Sequence, residues 1–269
     1  MEHRPRKQFA QHWLKSDKTL NQIIQAASVT KRDHVLEIGP GTGILTRRLL
    51  PLAQSVVAVE IDRDLCQMLT QQLGQVDNFL LLQGDILSLD LASLLAPLPD
   101  FVHPNKVVAN IPYNITGPIL EKLLGTISNP AAEPFDLIVL LVQKEVAERL
   151  YAQPESRAFG ALSVRVQYLA ECELICPVPA AYFYPPPKVD SAVVRLRPRL
   201  VEPPALDPRR LETLVKLGFA AKRKMLRNNL KGIVERDRLT HLLEQLEVNP
   251  LARAEDLSIA QWVALANEL

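Results

Sequence analysis

Four consecutive residues near the middle of the chain, Asn110-Ile111-Pro112-Tyr113, carry groups that can act on an amino group attached to an aromatic ring. The lone pair of such a nitrogen is delocalised into the ring. The Asn110 amide oxygen and the Ile111 main-chain carbonyl can both accept N–H bonds from it, which favours the pyramidal nitrogen of the transition state. The Tyr113 ring can stack on the base. The alternative is a strand that ends in a proline turn with an asparagine cap, and these four residues alone leave both interpretations open.

The run Lys106 to Ala109, which precedes these four residues, is mostly apolar and typical of a buried strand. Because Pro112 has no N–H to donate, the strand is predicted to end at about Asn110. In an open parallel sheet, ligands bind at the carboxyl ends of the strands. Asn110 and Tyr113 are therefore predicted to lie at the edge of the sheet where a ligand binds.

A glycine-rich loop, Gly39-Pro40-Gly41-Thr42-Gly43, follows the predicted strand His34–Ile38 and opens into a helical pattern from Ile44 to Leu50. Glycine lets the backbone approach a ligand closely, and the start of a helix offers unpaired N–H groups. A dinucleotide fingerprint needs Gly or Ala at the position of Ile44. This departure argues against a nicotinamide dehydrogenase.

Acidic residues follow the next two predicted strands. The strand Ser55 to Val59 leads to Glu60, 21 residues beyond Gly39, where a carboxylate is suited to binding two ribose hydroxyls. The strand Phe79 to Gln83 leads to Asp85, whose carboxylate can accept a hydrogen bond from an adenine amino group. Each acid alone is a weak signal, but the ordered series of strand, glycine loop, acid, strand and acid indicates a nucleoside site.

Two further segments combine aromatic rings with prolines or with positive charge. The cluster Tyr182 to Pro187 joins three aromatic residues to three prolines. Within it, Phe183 can stack on a base opposite Tyr113; the alternative is a proline-rich hairpin with inward-packed aromatics. The N-terminal arm carries basic residues around apolar and aromatic ones, namely Arg4, Arg6, Lys7, Phe9, His12, Trp13, Leu14, Lys15 and Lys18. Such an arm can contact nucleic-acid phosphates, fold over a ligand or remain a solvated tail.

The composition predicts a soluble, cytoplasmic protein. The chain has 269 residues, of which 48% are hydrophobic and 23% charged, enough to bury a substantial core. The longest apolar run, residues 137–142, is too short to span a bilayer, and residues 1–18 lack the apolar core of a signal peptide. The cysteines, Cys66, Cys172 and Cys176, form no CxxC pair, so we expect neither a disulfide framework nor a metal site.

The net charge of +1 conceals a local asymmetry. Residues 214–231 contain six basic residues and no acidic ones, whereas residues 235–269 contain seven acidic and three basic ones. The six basic residues are Lys216, Lys222, Arg223, Lys224, Arg227 and Lys231. The helical pattern places four of them, Lys216, Arg223, Arg227 and Lys231, in a stripe of one sign, which favours contacts with phosphates. The proline-rich stretch 199–208 predicts a domain boundary, which divides the chain into domains 1–200 and 201–269.

Together these segments resemble an S-adenosylmethionine-dependent methyltransferase that acts on an amino nitrogen, and above all the ribosomal RNA adenine dimethylase family. The resemblance covers nearly the whole chain. It rests on "VLEIGPGTGILT", "VVAVEID", "GDIL", "NIPYNIT", "LVQKEVAERL", "FGALSV", "PPPKVDSAVVRL" and "FAAKRKMLRNNL". The first three are shared by many methyltransferases, and the last five are specific to the family. The resemblance implies an α/β fold, with a Rossmann-like class I methyltransferase sheet, helices on both faces and a small all-α C-terminal domain.

The resemblance also implies roles for individual residues. The contacts to S-adenosylmethionine are assigned to His12, Leu14, Gly39, Gly41, Glu60, Asp85 and Asn110. Catalysis is assigned to Asn110, Ile111, Pro112, Tyr113 and Phe183, with the two aromatic rings flanking the adenine. Domain 1–200 is expected to bind the cofactor and catalyse the transfer without a metal. Domain 201–269, with its six basic residues, is expected to recognise RNA.

The family's substrate is a pair of adjacent adenines in a hairpin loop near the 3′ end of small-subunit ribosomal RNA, each dimethylated at N6. The implied partner is therefore small-subunit RNA within an immature ribosomal subunit, bound by a monomer without membrane contact. One alternative is a methylase of large-subunit RNA, but "FAAKRKMLRNNL" and the triple proline favour the small-subunit group. Another alternative is a non-catalytic RNA-binding assembly factor. It is disfavoured because the residues assigned to catalysis are intact, namely Asn110, Pro112, Tyr113 and Phe183.

Overall fold

The computed structural model describes residues 5–6 and 11–269. The predicted arm residues Arg4, Lys7 and Phe9 lie outside the described residues. The chain forms two compact units. The sheet unit comprises Met1–Leu123, Glu133–Ala147 and Glu173–Arg197, and the helical unit comprises Leu124–Ala132, Glu148–Cys172 and Pro198–Leu269. Two segments before residue 200, Leu124–Ala132 and Glu148–Cys172, thus belong to the helical unit. The division based on composition placed both in domain 1–200.

A mixed sheet forms the centre of the sheet unit. The strands of the described chain are β1 (Trp13–Leu14), β2 (His34–Ile38), β3 (Ser55–Glu60), β4 (Phe79–Gln83), β5 (Lys106–Asn110), β6 (Leu137–Gln143), β7 (Ala170–Val178), β8 (Phe183–Tyr184) and β9 (Ser191–Pro198). The strand order in the sheet is β4-β3-β2-β5-β6-β9-β7. Strands β2 to β6 pair in parallel, and β9 pairs antiparallel with β6. A separate antiparallel ribbon joins β1 to β8.

Helices connect these strands and make up most of the helical unit. Those of the described chain are α1 (Asp17–Ala27), α2 (Thr46–Leu49), α3 (Arg63–Leu73), α4 (Leu91–Leu95), α5 (Thr116–Leu124), α6 (Lys144–Leu150), α7 (Ala161–Leu169), α8 (Pro208–Gly218), α9 (Leu226–Asn229), α10 (Arg236–Gln245) and α11 (Ile259–Glu268). Within the described ranges, every helix is too short or too polar to cross a membrane.

Continuous apolar runs form the centre of the sheet. Residues 56–59, 107–109 and 137–142 are all buried. Strands that helices cover on both faces need an apolar side chain at every position. The prediction that the strand before Pro112 ends at Asn110 is confirmed, since β5 ends there.

The helix after the glycine loop is shorter than predicted. The pattern from Ile44 to Leu50 predicts a helix, but α2 comprises only Thr46–Leu49. Gly43 has a φ of +78°, a left-handed conformation that a right-handed helix excludes. Its N–H donates to the Pro40 carbonyl at 2.9 Å. The loop therefore closes as a turn before the helix begins.

The predicted continuous helical stripe of positive charge is wrong. Helix α8 ends at Gly218, where a Cβ atom would lie 2.6 Å from the ring of Trp262. The Asn229 side chain then donates to the Gly218 and Ala221 carbonyls at 2.5 and 3.2 Å. These bonds stabilise a non-helical segment between α8 and α9. Arg223, one of the four stripe residues, lies in that segment together with Lys222 and Lys224.

Candidate active site

A cavity of the sheet unit lies at the carboxyl ends of β2, β3 and β5. Its empty volume, including the open mouth, is about 480 Å³. The structure brings eight predicted site residues together around it, namely His12, Gly39, Gly41, Glu60, Asn110, Ile111, Pro112 and Tyr113. Residues from four separate segments of the sequence thus line one cavity at the edge of the sheet where a ligand was predicted.

The glycine loop forms one wall of the cavity. Gly39 and Gly41 have φ angles of +67° and +58°, a left-handed conformation that glycine adopts at little cost. A Cβ atom on Gly41 would lie 3.4 Å from the Trp13 ring. The Gly39 N–H donates to the Val59 carbonyl at 2.9 Å, which ties the loop to the neighbouring strand. The loop therefore presents its backbone, rather than side chains, to the cavity.

Glu60 is 5% exposed and accepts a backbone N–H bond at each carboxylate oxygen. Oε2 accepts from Gly41 at 3.2 Å, and Oε1 accepts from Asp62 at 2.9 Å. Burial raises the pKa of Glu60, and these two bonds oppose the rise. A carboxylate offers about four lone-pair sites, so Glu60 keeps acceptor capacity for the hydroxyl groups of a ligand.

The main chain of the N-terminal segment orients the amide of Asn110. Asn110 Nδ2 donates to the His12 carbonyl at 3.2 Å, a contact between residues 98 positions apart. Since this bond engages the amide nitrogen, the orientation of Oδ1 is set as well. The Asn110 amide is thereby arranged as an acceptor with a defined direction.

Tyr113 is held from two sides. Its hydroxyl lies 2.5 Å from Ser191 Oγ, and its ring is stacked with the His12 ring at a centroid distance of 5.8 Å and an interplanar angle of 19°. The His12 ring also donates from Nδ1 to the Pro185 carbonyl at 2.7 Å. Burial raises the pKa of Tyr113. His12 thus connects Tyr113 to the loop that follows β8.

A polar clasp, formed by Arg6, Gln11, Asp62 and Asp64, anchors the N-terminal segment beside Glu60. Asp62 is fully buried; Gln11 Nε2 donates to it at 2.9 Å, and Arg6 lies 3.3 Å from it. Arg6 also pairs with Asp64. Sequence reasoning missed this clasp because its two halves are more than fifty residues apart.

Four residues that the sequence analysis did not assign also line the cavity, namely Gln11, Trp13, Ile61 and Leu65. Ile61 is 45% exposed although it is apolar. The available sequence signal was an isoleucine between two acids, Glu60 and Asp62, because an apolar side chain beside a ribose-binding acid can pack against a base. Trp13 belongs to the arm for which the sequence analysis considered folding over a ligand, whereas Gln11 gave no comparable signal.

Leu14, Phe183 and Asp85 do not line this cavity. Leu14 and Phe183 face each other across the β1–β8 ribbon, and each is 3% exposed. Asp85 follows β4, and its Oδ1 accepts the Leu87 N–H at 2.9 Å. Their assignments as cofactor or base contacts remain predictions.

Glu37, which the sequence analysis did not single out, is a buried carboxyl in β2. It is 1% exposed, and its Oε2 has no hydrogen-bond partner among the described residues. Burial raises the pKa of Glu37 to about 8, and the nearby charge of Glu60 adds to the rise. The raised pKa favours the protonated form of Glu37 in the folded protein at neutral pH.

Replacing Glu37 by glutamine is expected to flatten the pH dependence of stability. A carboxyl with a folded-state pKa near 8 and an ordinary value of 4.5 binds its proton more tightly in the folded state. Its contribution to stability is therefore complete at low pH and is lost as the pH rises from about 4.5 to about 8. Urea unfolding of the wild type and of Glu37→Gln between pH 5 and 8.5 measures how the free energy of unfolding depends on pH. The free energy of unfolding of the wild type should fall by a few kcal/mol relative to that of Glu37→Gln across that range. Parallel curves would contradict the raised pKa of Glu37.

Comparison with known proteins shows the family to which the chain belongs. The profile of the family described as ribosomal RNA adenine dimethylase matches residues 2–269. The chain belongs to the ribosomal RNA adenine dimethylase family. This result confirms the prediction of an enzyme that methylates adenine in ribosomal RNA.

Relatives of known sequence or structure agree with this family. A protein of Nostoc punctiforme named ribosomal RNA small subunit methyltransferase A is 74% identical over 99% of this chain and 95% of its own. A dimethyladenosine transferase of Plasmodium falciparum is 29% identical with a TM-score of 0.76, covering 94% of this chain and 96% of its own. The 23S rRNA methyltransferase ErmE is 29% identical with a TM-score of 0.73, covering 96% and 99%. The predicted class I methyltransferase fold is confirmed, and both fold and family are those of S-adenosylmethionine-dependent enzymes.

Proposed function

We propose that the protein transfers methyl groups from S-adenosylmethionine to N6 of two adjacent adenines in a hairpin loop near the 3′ end of small-subunit ribosomal RNA. It acts as a monomer in the cytoplasm, on an immature ribosomal subunit. The observation that carries the proposal is the position of Asn110. Its amide lies beside the glycine loop and Glu60 in one cavity, and its orientation is set by the His12 carbonyl.

The residues present fit the cofactor. Glu60 keeps acceptor sites for ribose hydroxyls, the glycine loop exposes its backbone, and the unpartnered Oε2 of Glu37 lies in the strand that leads into this loop. We assign the contacts to His12, Leu14, Gly39, Gly41, Glu60, Asp85 and Asn110. When bound, S-adenosylmethionine supplies an electrophilic methyl group on a sulfonium. Among the described residues, no group of histidine, cysteine and acidic side chains is arranged to hold a metal ion.

The chain's own residues position the adenine amine. Asn110 Oδ1 and the Ile111 carbonyl accept its N–H bonds, two in the first transfer and one in the second, which draws the nitrogen lone pair out of the ring and directs it at the methyl group. Pro112 holds the strand end rigid. We assign no general base, and the amine's proton leaves to water after transfer.

Tyr113 and Phe183 flank the adenine in this proposal, which requires the Phe183 ring, 3% exposed in this structure, to become accessible when the base binds. The His12 ring covers one face of Tyr113, so we place the base on the other face. The bond between Tyr113 and Ser191 fixes the ring plane. An adenine in a hairpin loop is already partly unstacked, which lowers the cost of bringing it to this position.

The basic residues of the helical unit are assigned to RNA phosphates. Lys216, Lys222, Arg223, Lys224 and Lys231 are exposed, and Arg227 is half-buried. The segment 222–224 presents three cations in succession outside any helix. It can therefore follow a phosphate backbone without the spacing that a helix imposes.

Changing Lys222, Arg223 and Lys224 together to glutamine is expected to weaken RNA binding and its salt dependence. Each lost phosphate contact removes about 0.7 to 0.9 from the slope of log K against log salt, so the slope should fall by about 2. Fluorescence anisotropy with a hairpin RNA from 50 to 300 mM salt measures the change. Arg236→Gln, an exposed substitution in the acidic C-terminal stretch, serves as control; equal slopes for all proteins would refute the assignment.

The reaction is tested by incubating the protein with isotope-labelled S-adenosylmethionine and immature small ribosomal subunits, then mapping modified adenines by mass spectrometry. Dimethylation of two adjacent adenines near the 3′ end is expected. Modification of large-subunit RNA alone would contradict the proposed substrate. It would indicate a methylase of large-subunit RNA, the alternative that the likeness to ErmE favours. No transfer, with RNA binding retained, would indicate a non-catalytic assembly factor.

A further inference from the structure

We propose that the outer face of the β1–β8 ribbon is a second RNA-binding surface, which holds nucleotides next to the target adenine. This inference rests on the proposed function and adds an RNA contact to the sheet unit. We call it the ribbon surface, formed by Lys15, Lys18, Tyr182 and Tyr184.

The two faces of the ribbon differ sharply. Leu14 pairs with Phe183, and both pack in the hydrophobic core. Trp13 pairs with Tyr184, and because side chains alternate between faces, these two point the other way. Tyr184 is 49% exposed there, while Phe183 beside it is 3% exposed. The ribbon thus uses one face for packing and leaves an aromatic ring on the other.

A lysine accompanies this exposed ring. Lys15 Nζ lies 4.4 Å from the centroid of the Tyr184 ring, and Lys15 itself is exposed. The Lys15 N–H donates to the Tyr182 carbonyl at 2.8 Å, which continues the ribbon by one residue. A ring that can stack on a base, beside a cation that can bind a phosphate, is the combination that single-stranded nucleic acid requires.

A groove adjoins the ribbon and continues this pattern. It has an empty volume of about 710 Å³, and Lys18, Tyr182 and Asp190 contribute to its lining. Tyr182 is 39% exposed. Asp190 is engaged with the backbone, since its Oδ1 accepts the Ala180 N–H at 2.9 Å. The groove therefore offers a second ring and a second cation within the same surface.

The charge balance favours an anionic partner. Lys15 and Lys18 are exposed. Asp17, which lies between these two lysines in the sequence, pairs with Arg48 at 2.5 Å. Rings separated by lysines also differ from the contiguous apolar patch that a protein partner prefers. The surface accordingly fits RNA better than protein.

The ribbon surface is continuous with the active site. Trp13, the partner of Tyr184 in the ribbon, lines the cavity. His12 bonds to the Pro185 carbonyl and stacks with Tyr113. A nucleotide stacked on Tyr184 would therefore neighbour the adenine placed at Tyr113. The ribbon surface would then position the strand that flanks the target.

The test compares Tyr184→Ala, Lys15→Gln and their combination with the wild type. The combined variant is expected to bind a synthetic hairpin RNA, with two adjacent adenines in its loop, about tenfold more weakly. Its salt slope should fall by about one, because one phosphate contact is lost. Tyr184→Phe retains the ring and should bind like the wild type, as should Lys31→Gln, an exposed substitution elsewhere in the sheet unit.

Unchanged RNA affinity in the combined variant would overturn the inference, whether or not the wild type methylates RNA. Should Tyr184→Ala fail to fold, the salt slope of Lys15→Gln alone still tests the inference, because the Lys15 side chain is exposed and its replacement leaves the packing intact. A raised KM for immature subunits with unchanged affinity for the hairpin would assign the surface to a protein and also reject RNA as its partner. Absence of methyl transfer by the wild type would instead count against the proposed function alone.

Discussion

Replacing Asn110 by alanine is expected to lower kcat for methyl transfer by about 10³-fold, while RNA affinity stays within about twofold. The amide oxygen is needed most when the amine becomes pyramidal, so its loss raises the barrier more than it weakens ground-state binding. Single-turnover transfer to small subunits and anisotropy with hairpin RNA measure the two quantities separately. This is the largest effect that we expect from one substitution.

Asn114→Ala is the matched control for this experiment. Asn114 lies four residues further on in the same segment and is exposed. It should retain wild-type turnover. Turnover of Asn110→Ala close to that of Asn114→Ala would remove Asn110 from the mechanism and leave the interpretation of a capped strand end.

Replacing Glu60 by alanine is expected to raise the Kd for S-adenosylmethionine about 100-fold. Hydrogen bonds to a charged acceptor contribute roughly 1.5 to 3 kcal/mol each, and Glu60 is the carboxylate that lines the cavity at the end of β3. Isothermal titration calorimetry gives the affinity directly. At saturating cofactor, kcat should fall much less, because Glu60 is not assigned to the reacting amine.

Two comparisons separate ligand binding from folding at Glu60. Glu60→Gln keeps an acceptor for one backbone N–H and should give an intermediate Kd. Asp77→Ala removes an exposed acid from the same strand-helix-strand segment and should leave the Kd unchanged. An affinity within about twofold of the wild type for Glu60→Ala would contradict the proposed ribose contact.

Much of the sheet and of the cavity could be predicted because their signals are local. Continuous apolar runs locate the parallel strands, and Pro112 marks the end of β5. Glycines at positive φ and acids at strand ends act through their own backbone and immediate neighbours. Since parallel strands end at one edge of the sheet, the sequence was enough to place Gly39, Glu60 and Asn110 together.

The end of α8 could not be predicted in the same way. Helical periodicity from Leu211 to Leu230 continues through the break, but α8 ends at Gly218, and Asn229 donates to the Gly218 and Ala221 carbonyls of the segment that follows. Asn229 lies 11 and 8 residues beyond these carbonyls, so helical periodicity carries no trace of the two bonds. Arg223, a residue of the predicted stripe, consequently lies outside any helix.

The sequence by itself determined the fold class, the family, the strand ends and the types of residue at the cavity. Only the tertiary structure decided that His12 orients Asn110, that Arg6 and Gln11 clasp Asp62, and that β1 pairs with β8. It also decided the raised pKa of Glu37, which depends on burial within the folded sheet unit. The physical reason is the range of the interactions. Strand ends, turns and caps depend on neighbours within a few residues, whereas these contacts join segments that only the folded chain brings together.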